Sequence, residues 1–331
     1  MFLRLLASLR VLATTTALVA AGMLPALPSA ARAEPGTEAD QADTIERART
    51  EPPLRAGAWV GGVLASGQDR DWFRLRVNSG GTVLITLGDL PADYRLTLAT
   101  ADGKVLAVSD RPGTTFEQLQ RRLRAGRYFV GVTSPRGASS GRSYRLLVRP
   151  VPAGVAVLDA HPVAGNMLYG IAGQVLNNTG SWQRYPRVTV RFYGAGGRYL
   201  SQSTALTAQT YLAPGQRGHF QVIPDRPEGA VRYRLVTRAE PVAAPAQPPL
   251  ALRPDAPFAV GSGRTRYVGR LTGGGASGVH VFVLRYNRIG DFVDAAHALI
   301  PRVSSGVAAR YELELPTYPY VSEERLAYSV G

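Results

Sequence analysis

Gly137-Ala-Ser-Ser-Gly141 carries the glycine-x-serine-x-glycine string of hydrolases. That chemistry needs a strand feeding a helix, so that the serine is held in a strained elbow with its hydroxyl exposed. Here the string lies in a glycine- and serine-rich loop between two predicted strands, and Ser139 is expected to be a turn residue. A general base would have to come from His161, His219, His280 or His297, and no two of these have a spacing that sets them on one local face. His280 alternates with Val279 and Val281, the pattern of an ordinary exposed or half-buried strand histidine. There is no His-Glu-x-x-His string, and the chain has no cysteine, which removes thiolate nucleophiles, thiolate metal sites and disulfides. The glycine stretches Gly194 to Gly197 and Gly273 to Gly275 lack the lysine, threonine and helix start of a phosphate cradle. Triads are defined in space, so distant residues can assemble one on folding; the sequence selects none. No catalytic, cofactor-binding or metal residue is assigned.

The elements that would have to position any such group follow an export signal. Arg4 and Arg10 begin it, an apolar run from Val11 to Met23 continues it, and Ala31-Arg32-Ala33 supplies a small-x-small cleavage site. Residues 1–33 are therefore expected to be removed, leaving Glu34 as the first mature residue and the periplasm or the cell exterior as the destination. Three threonines interrupt the apolar run and Pro25 and Pro28 follow it, so it falls short of the roughly 18 to 20 apolar residues that a spanning helix requires. No later stretch qualifies, and no transmembrane segment is expected after cleavage. The formal charge of +14 is supplied almost wholly by arginine, Lys104 being the sole lysine. The arginines are scattered along the chain. Export and the lack of a reading helix or aromatic platform argue against nucleic acid, whereas loose attraction to an anionic envelope or polysaccharide fits the charge.

Residues 34–54 are polar and end at Pro52-Pro53, the mark of a flexible linker or at most a short helix. Ordered signals then begin. Phe73, Leu75 and Val77 alternate with Arg74 and Arg76, Val83, Ile85 and Leu87 repeat the pattern, and Asp102-Gly103 is a hairpin turn. Phe116 to Leu123 alternates irregularly and fits either a strand or a short helix. With 127–133 and 144–149 this makes seven or eight short strands, predicting an antiparallel sandwich or jelly roll. The ordered series Gly67-Gln-Asp-Arg-Asp-Trp-Phe-Arg-Leu-Arg-Val77, Leu96-Thr-Leu98, Asp102-Gly103, Leu123-Arg-Ala-Gly-Arg-Tyr-Phe-Val-Gly-Val132 and Tyr144-Arg-Leu146 resembles the bacterial pre-peptidase C-terminal domain across residues 55–150. The resemblance implies a non-catalytic β-sandwich that accompanies secreted enzymes in targeting or polymer binding. Collagen-binding relatives of that sandwich bind calcium through acidic residues, and the candidates here are Asp69 and Asp71, with Asp110 as a third. Two carboxylates on one strand entry do not make the shell of six to eight oxygens that calcium needs, and turn capping is the expected role of Asp69 and Asp71. Trp72 and Tyr128 have faces that could stack on sugar rings, but in so small a sandwich packing is their expected role.

The carboxyl half contains a repeat. Val188 to Leu200 can be laid ungapped over Val281 to Val293, matching Val188 with Val281, Val190 with Val283, Tyr193 with Tyr286, Gly197 with Gly290 and Leu200 with Val293. Gly215 and Phe220 have counterparts in Gly306 and Tyr311 at the same spacing. Asp291 to Ile300 admits a helical pattern, but the repeat makes it a strand. Two immunoglobulin- or fibronectin-like sandwiches are expected, at 151–238 and 253–331, joined by a proline- and alanine-rich linker at 239–252. Gly173-Gln-Val-Leu-Asn-Asn-Thr-Gly180, Val188-Thr-Val-Arg-Phe-Tyr-Gly194 and Leu212-Ala-Pro-Gly215 before Phe220 resemble the FxLYD domain of exported bacterial proteins. Of that motif only Tyr193 agrees strictly. The whole is expected to be all-β: tandem antiparallel β-sandwiches, jelly-roll-like and then immunoglobulin-like. The function implied is non-enzymatic: an exported binding or assembly protein whose partner is an envelope protein or an extracellular polymer, or the targeting or polymer-binding accessory of a secreted hydrolase.

Overall fold

The computed structural model describes residues 41–164, 169–223, 227–245, 250–261 and 263–330, so the expected export signal at 1–33 lies outside the described residues. From Gln41 onward the segment expected to be loose is docked on the fold. Ala42 bridges Trp72, whose backbone N–H donates to the Ala42 carbonyl at 2.8 Å. Helix α1 (Ile45–Ala48) follows, its Thr44 cap accepting from the Arg47 N–H. Ala42 and Ala48 are buried against Phe129, with Trp72 beside them. Small side chains let this backbone lie close to the sheet.

Alternation shapes the first module. Its strands are β1 (Trp59–Gly62), β2 (Arg70–Val77), β3 (Gly81–Gly88), β4 (Arg95–Thr100), β5 (Val105–Ser109), β6 (Glu117–Leu123), β7 (Gly126–Thr133) and β8 (Tyr144–Val151). They form two antiparallel sheets, β1-β8-β3-β6 and β2-β7-β4-β5. Phe73, Leu75, Val83, Ile85, Leu87, Leu96 and Leu98 meet between the sheets around Tyr94 and Tyr144, whose rings pack edge to face at 6.0 Å. Residues 117–123 are strand, because pairing with β3 satisfies their backbone on the sheet edge.

The second and third modules share one plan. In the second, β9 (Gly154–Ala164), β10 (Tyr169–Asn178) and β14 (Arg217–Val222) make one sheet. The other contains β11 (Trp182–Tyr193), β12 (Tyr199–Leu206), β13 (Tyr211–Leu212) and β15 (Arg232–Val242). In the third, β16 (Leu250–Pro254), β17 (Phe258–Ala259), β18 (Arg264–Gly273) and β21 (Ala309–Pro316) face β19 (Ala276–Tyr286), β20 (Phe292–Val303) and β22 (Glu323–Val330). The central strands β11 and β19 each pair with the following strand and with the last one. Each also carries its register shift at the aligned tyrosine, Tyr193 opposite Tyr199 and Tyr286 opposite Phe292. Gly197 and Gly290 both adopt positive φ, 82° and 79°, which explains why glycine stands at both turns. The stretch expected as a linker, 239–252, is shorter than its composition suggests. Ala239 to Val242 belong to β15 and Leu250 to Leu252 to β16, because their backbones complete ladders with β11 and β18.

The modules are not strung apart. Phe116 from the first, Ala172 from the second, and Phe282, Leu284, Tyr286 and Phe292 from the third form one buried cluster. A second contact places Leu84 and Val151 of the first module against Ala156, Leu158 and Leu176 of the second. Arg111 pairs with Glu323 at 2.7 Å and the Asp89 N–H donates to the Arg288 carbonyl at 3.0 Å, tying the first module to the third. Among the described residues no helix is long and apolar enough to cross a membrane.

Candidate functional site

Ser139 and the candidate acidic residues serve separate local roles. Ser139 is exposed in the loop between β7 and β8. Asp69 accepts from the Ala65 N–H at 2.7 Å, a turn cap. Asp71 is buried and accepts from the Tyr144 hydroxyl, whose ionisation burial and then Asp71 suppress. Asp110 is held elsewhere, by Arg95 at 2.6 Å. Trp72 lies against Gly131, where a Cβ would meet its ring at 2.8 Å, and the Tyr128 hydroxyl donates to the Arg124 carbonyl at 3.0 Å. Among the described residues no three histidine, aspartate or glutamate side chains are grouped as metal ligands would be.

Two histidines expected to be isolated do meet. His280 on β19 and His297 on β20 lie with ring centroids 5.0 Å apart, beside Phe282. The antiparallel hairpin sets Phe282 opposite His297 and so brings residues 17 positions apart onto one face. Burial, then the neighbouring His297, lowers the basicity of His280.

The junction holds two strongly perturbed groups. His219 on β14 is buried, with Nε2 2.8 Å from the Tyr286 hydroxyl and Nδ1 3.2 Å from the Gln209 amide. Burial, reinforced by Arg217 and Arg325, pushes its pKa down to about 3, so the imidazole is neutral. Asp159 on β9 accepts from the Gln174 N–H at 3.0 Å and from its side-chain amide at 2.5 Å. Burial and then Asp291 drive its pKa up to about 7, against the opposing pull of Arg149 and Arg217. Beside this polar core lies a cleft of about 390 Å³ lined by Ser109, Arg111, Gln118, Arg217, Glu323 and Arg325. Its arginines are already engaged: Glu323 bridges Arg111 and Arg325, and Arg217 donates to Gln118. The constellation locks three modules together.

Another open feature is the outer face of the β11, β12 and β15 sheet. Strand alternation turns Val188, Val190 and Phe192 inward and leaves Arg187, Thr189, Arg191 and Tyr193 outward. The register sets Arg191 opposite Arg234 and Arg187 opposite Arg238, two like-charged cross-strand pairs. Arg184, opposite Glu240, and Arg232, opposite Tyr193, extend the set to six arginines. The carboxylate paired with this face among the described residues is Glu240, 3.2 Å from Arg187. Tyrosines lie among the charges. Arg232 stacks over Tyr193 at 5.2 Å, Arg184 over Tyr185 at 4.2 Å, and Tyr193 meets Tyr199 edge to face. Tyr185 sits at a register shift with φ 48°, a backbone state that costs a bulky residue of this kind. The arginines that look scattered in the sequence are thus clustered by a period of two along each strand and by register between strands.

No family model matches the chain, and no curated protein matches it. Among solved structures, the exo-chitosanase CsxA of Amycolatopsis orientalis is similar at 15% identity and a TM-score of 0.31, over 70% of this chain and 25% of that one. The β-glucuronidase 2 of Bacteroides uniformis is similar at 12% identity and a TM-score of 0.28, over 70% and 26%. Dimeric latent PorU of Porphyromonas gingivalis follows at 10% and 0.23, over 84% and 34%. The chain therefore spans about a quarter to a third of the structures it matches, and likenesses this weak carry no argument about activity. The strands and their pairing define an all-β protein of several antiparallel sheet modules.

Proposed function

We propose that this chain is a non-enzymatic exported binding protein of the bacterial envelope, acting in the periplasm or outside the cell as a polymer-binding accessory to a separate secreted hydrolase. One observation carries the binding role: the modules are fused at a shared buried junction and leave a sheet face of charged and aromatic side chains open. A polar sheet face suits an extended chain better than a small molecule, which is usually held in a concave, mostly apolar pocket. The partner class and the accessory role follow from the resemblance of residues 55–150 to the pre-peptidase C-terminal domain, with residues 151–238 and 253–331 placed as FxLYD-like modules. A protein partner is the second reading, favoured by the exposed Val105 and Val108 on edge strand β5 and Leu206 on edge strand β12, since edge strands accept added strands. The test is incubation of the tagged mature chain with envelope extract and, separately, with washed extracellular polymer. Retention on polymer without release of soluble sugars or peptides supports the proposal. Capture of one protein with no polymer retention favours the second reading, and turnover of the polymer by the chain alone defeats the non-enzymatic assignment.

A further inference from the structure

We infer that the outer face of the β11, β12 and β15 sheet docks an acidic polysaccharide, a chain of sugar rings bearing carboxylates. This deepens the binding role just proposed by giving it a face and a ligand chemistry.

The first argument is internal repulsion. Like charges directly opposite each other on neighbouring strands are destabilising. Here two such pairs lie on one face, Arg191 with Arg234 and Arg187 with Arg238, with Thr189 opposite Val236 between them. The third module also sets like charges opposite each other, Arg253 with Arg270 and Arg270 with Arg310, but carboxylates stand on the same face. There Glu314 pairs with Arg264 and Arg266, at 2.6 and 3.0 Å, and Glu312 lies 3.4 Å from Arg266 and 3.8 Å from Arg310. The second module leaves Arg191, Arg232, Arg234 and Arg238 without a carboxylate partner among the described residues. An anionic ligand would relieve that repulsion.

The second argument comes from the duplication. Under the shared plan, Arg187, Thr189, Arg191 and Tyr193 occupy the places of His280, Phe282, Leu284 and Tyr286. In the third module that face is an interface: Phe282, Leu284 and Tyr286 are buried against Phe116 and Ala172 of the other modules. In the second module the corresponding face is open, and Thr189 and Arg191 stand at the positions matching Phe282 and Leu284. Its chemistry selects a charged, hydrated partner.

The third argument is the tyrosines, which narrow the polyanion to a glycan. Tyr199 is about half exposed, at 52%, with its edge against Tyr193, and Tyr185 is braced by Arg184. Held rings offer apolar faces to sugar rings at little entropic cost, while the guanidinium forks bind carboxylates in pairs. A membrane surface would call for apolar anchors among the basic residues, and Leu206 at the sheet edge is the one large exposed aliphatic on this face. Duplex nucleic acid is most often read by an element that enters a groove, and this face is the surface of a sheet.

The test measures retention of the mature chain on immobilised polygalacturonate, with neutral dextran, a duplex DNA oligonucleotide and phosphatidylglycerol vesicles as parallel arms. Arg234→Gln with Arg238→Gln should weaken polygalacturonate binding at least about five-fold and make it less sensitive to salt. The same double variant should melt no lower than the parent, because repulsion is removed. Arg264→Gln with Arg270→Gln, on the third module, should leave binding within about two-fold. Equal loss from both double variants, no loss from the first, or stronger binding to DNA or vesicles than to polygalacturonate overturns the inference. Retention on dextran with none on polygalacturonate defeats this face while leaving polymer binding in place; retention on no polymer at all defeats both.

Discussion

Replacing Asp159 with asparagine should change how stability depends on pH, and the change follows from two buried groups of opposite sign. Folded Asp159 keeps its proton up to about pH 7, whereas in the unfolded chain it loses it near pH 4. Between those values the folded state binds more protons, so the stability this group lends is complete below about pH 4 and lost as pH rises to about 7. At ~1.4 kcal/mol per pH unit, the loss is about 4 kcal/mol. His219 runs the other way. Folded, it stays neutral down to about pH 3, while the unfolded chain takes a proton near pH 6.5. Its contribution is therefore complete above about pH 6.5 and lost as pH falls toward 3. From about pH 4 to 6.5 the two slopes oppose each other. Asp159→Asn keeps an oxygen for the Gln174 N–H and removes one slope. Urea unfolding at each unit from pH 4 to 8 should show the variant gaining ~1.4 kcal/mol per unit up to pH 6.5 and exceeding the parent by roughly 4 kcal/mol at pH 8. Parallel curves for variant and parent, or a variant less stable at pH 8, would refute the assignment of these charges.

Two further substitutions probe the packing. Phe116→Ala removes a fully buried ring from the three-module cluster, over which Arg111 and Arg325 stack at 4.4 and 5.3 Å; it should cost about 3–5 kcal/mol in denaturant unfolding. Gly173→Ala would drive a methyl into the Asp159 carbonyl and to 2.8 Å from Phe220, and a thermal melt should show a loss of about 1–3 kcal/mol.

Local pattern carried much of the architecture. Alternation at Phe73 to Val77, the Asp102-Gly103 turn and the Val188/Val281 repeat are period-two and turn signals, and each is written in neighbouring residues. The register shifts at Tyr193 and Tyr286 fall at positions aligned in the sequence. What escaped was set by cross-strand register and by contacts between modules. His280 and His297 are joined by a hairpin, and the six arginines gather because strands 40 or more residues apart lie side by side, as Arg191 and Arg234 do. The inward and outward alternation of β11 and β15 was visible from the sequence; pairing those two outward sets was the missing step. The polar lining of the junction was hidden for a similar reason, since Asp159, His219 and Tyr286 come from three separate strands of two modules.

The shared cluster of Phe116, Ala172, Phe282 and Tyr286 also fixes how this molecule can be taken apart. Its boundaries in sequence are easy to mark, near Pro152 and at 243–249, and each invites cutting the chain into single units. A unit released there would carry away half of an apolar contact and show it to water, a patch suited to self-association. The smallest piece that keeps this contact whole is the three modules together.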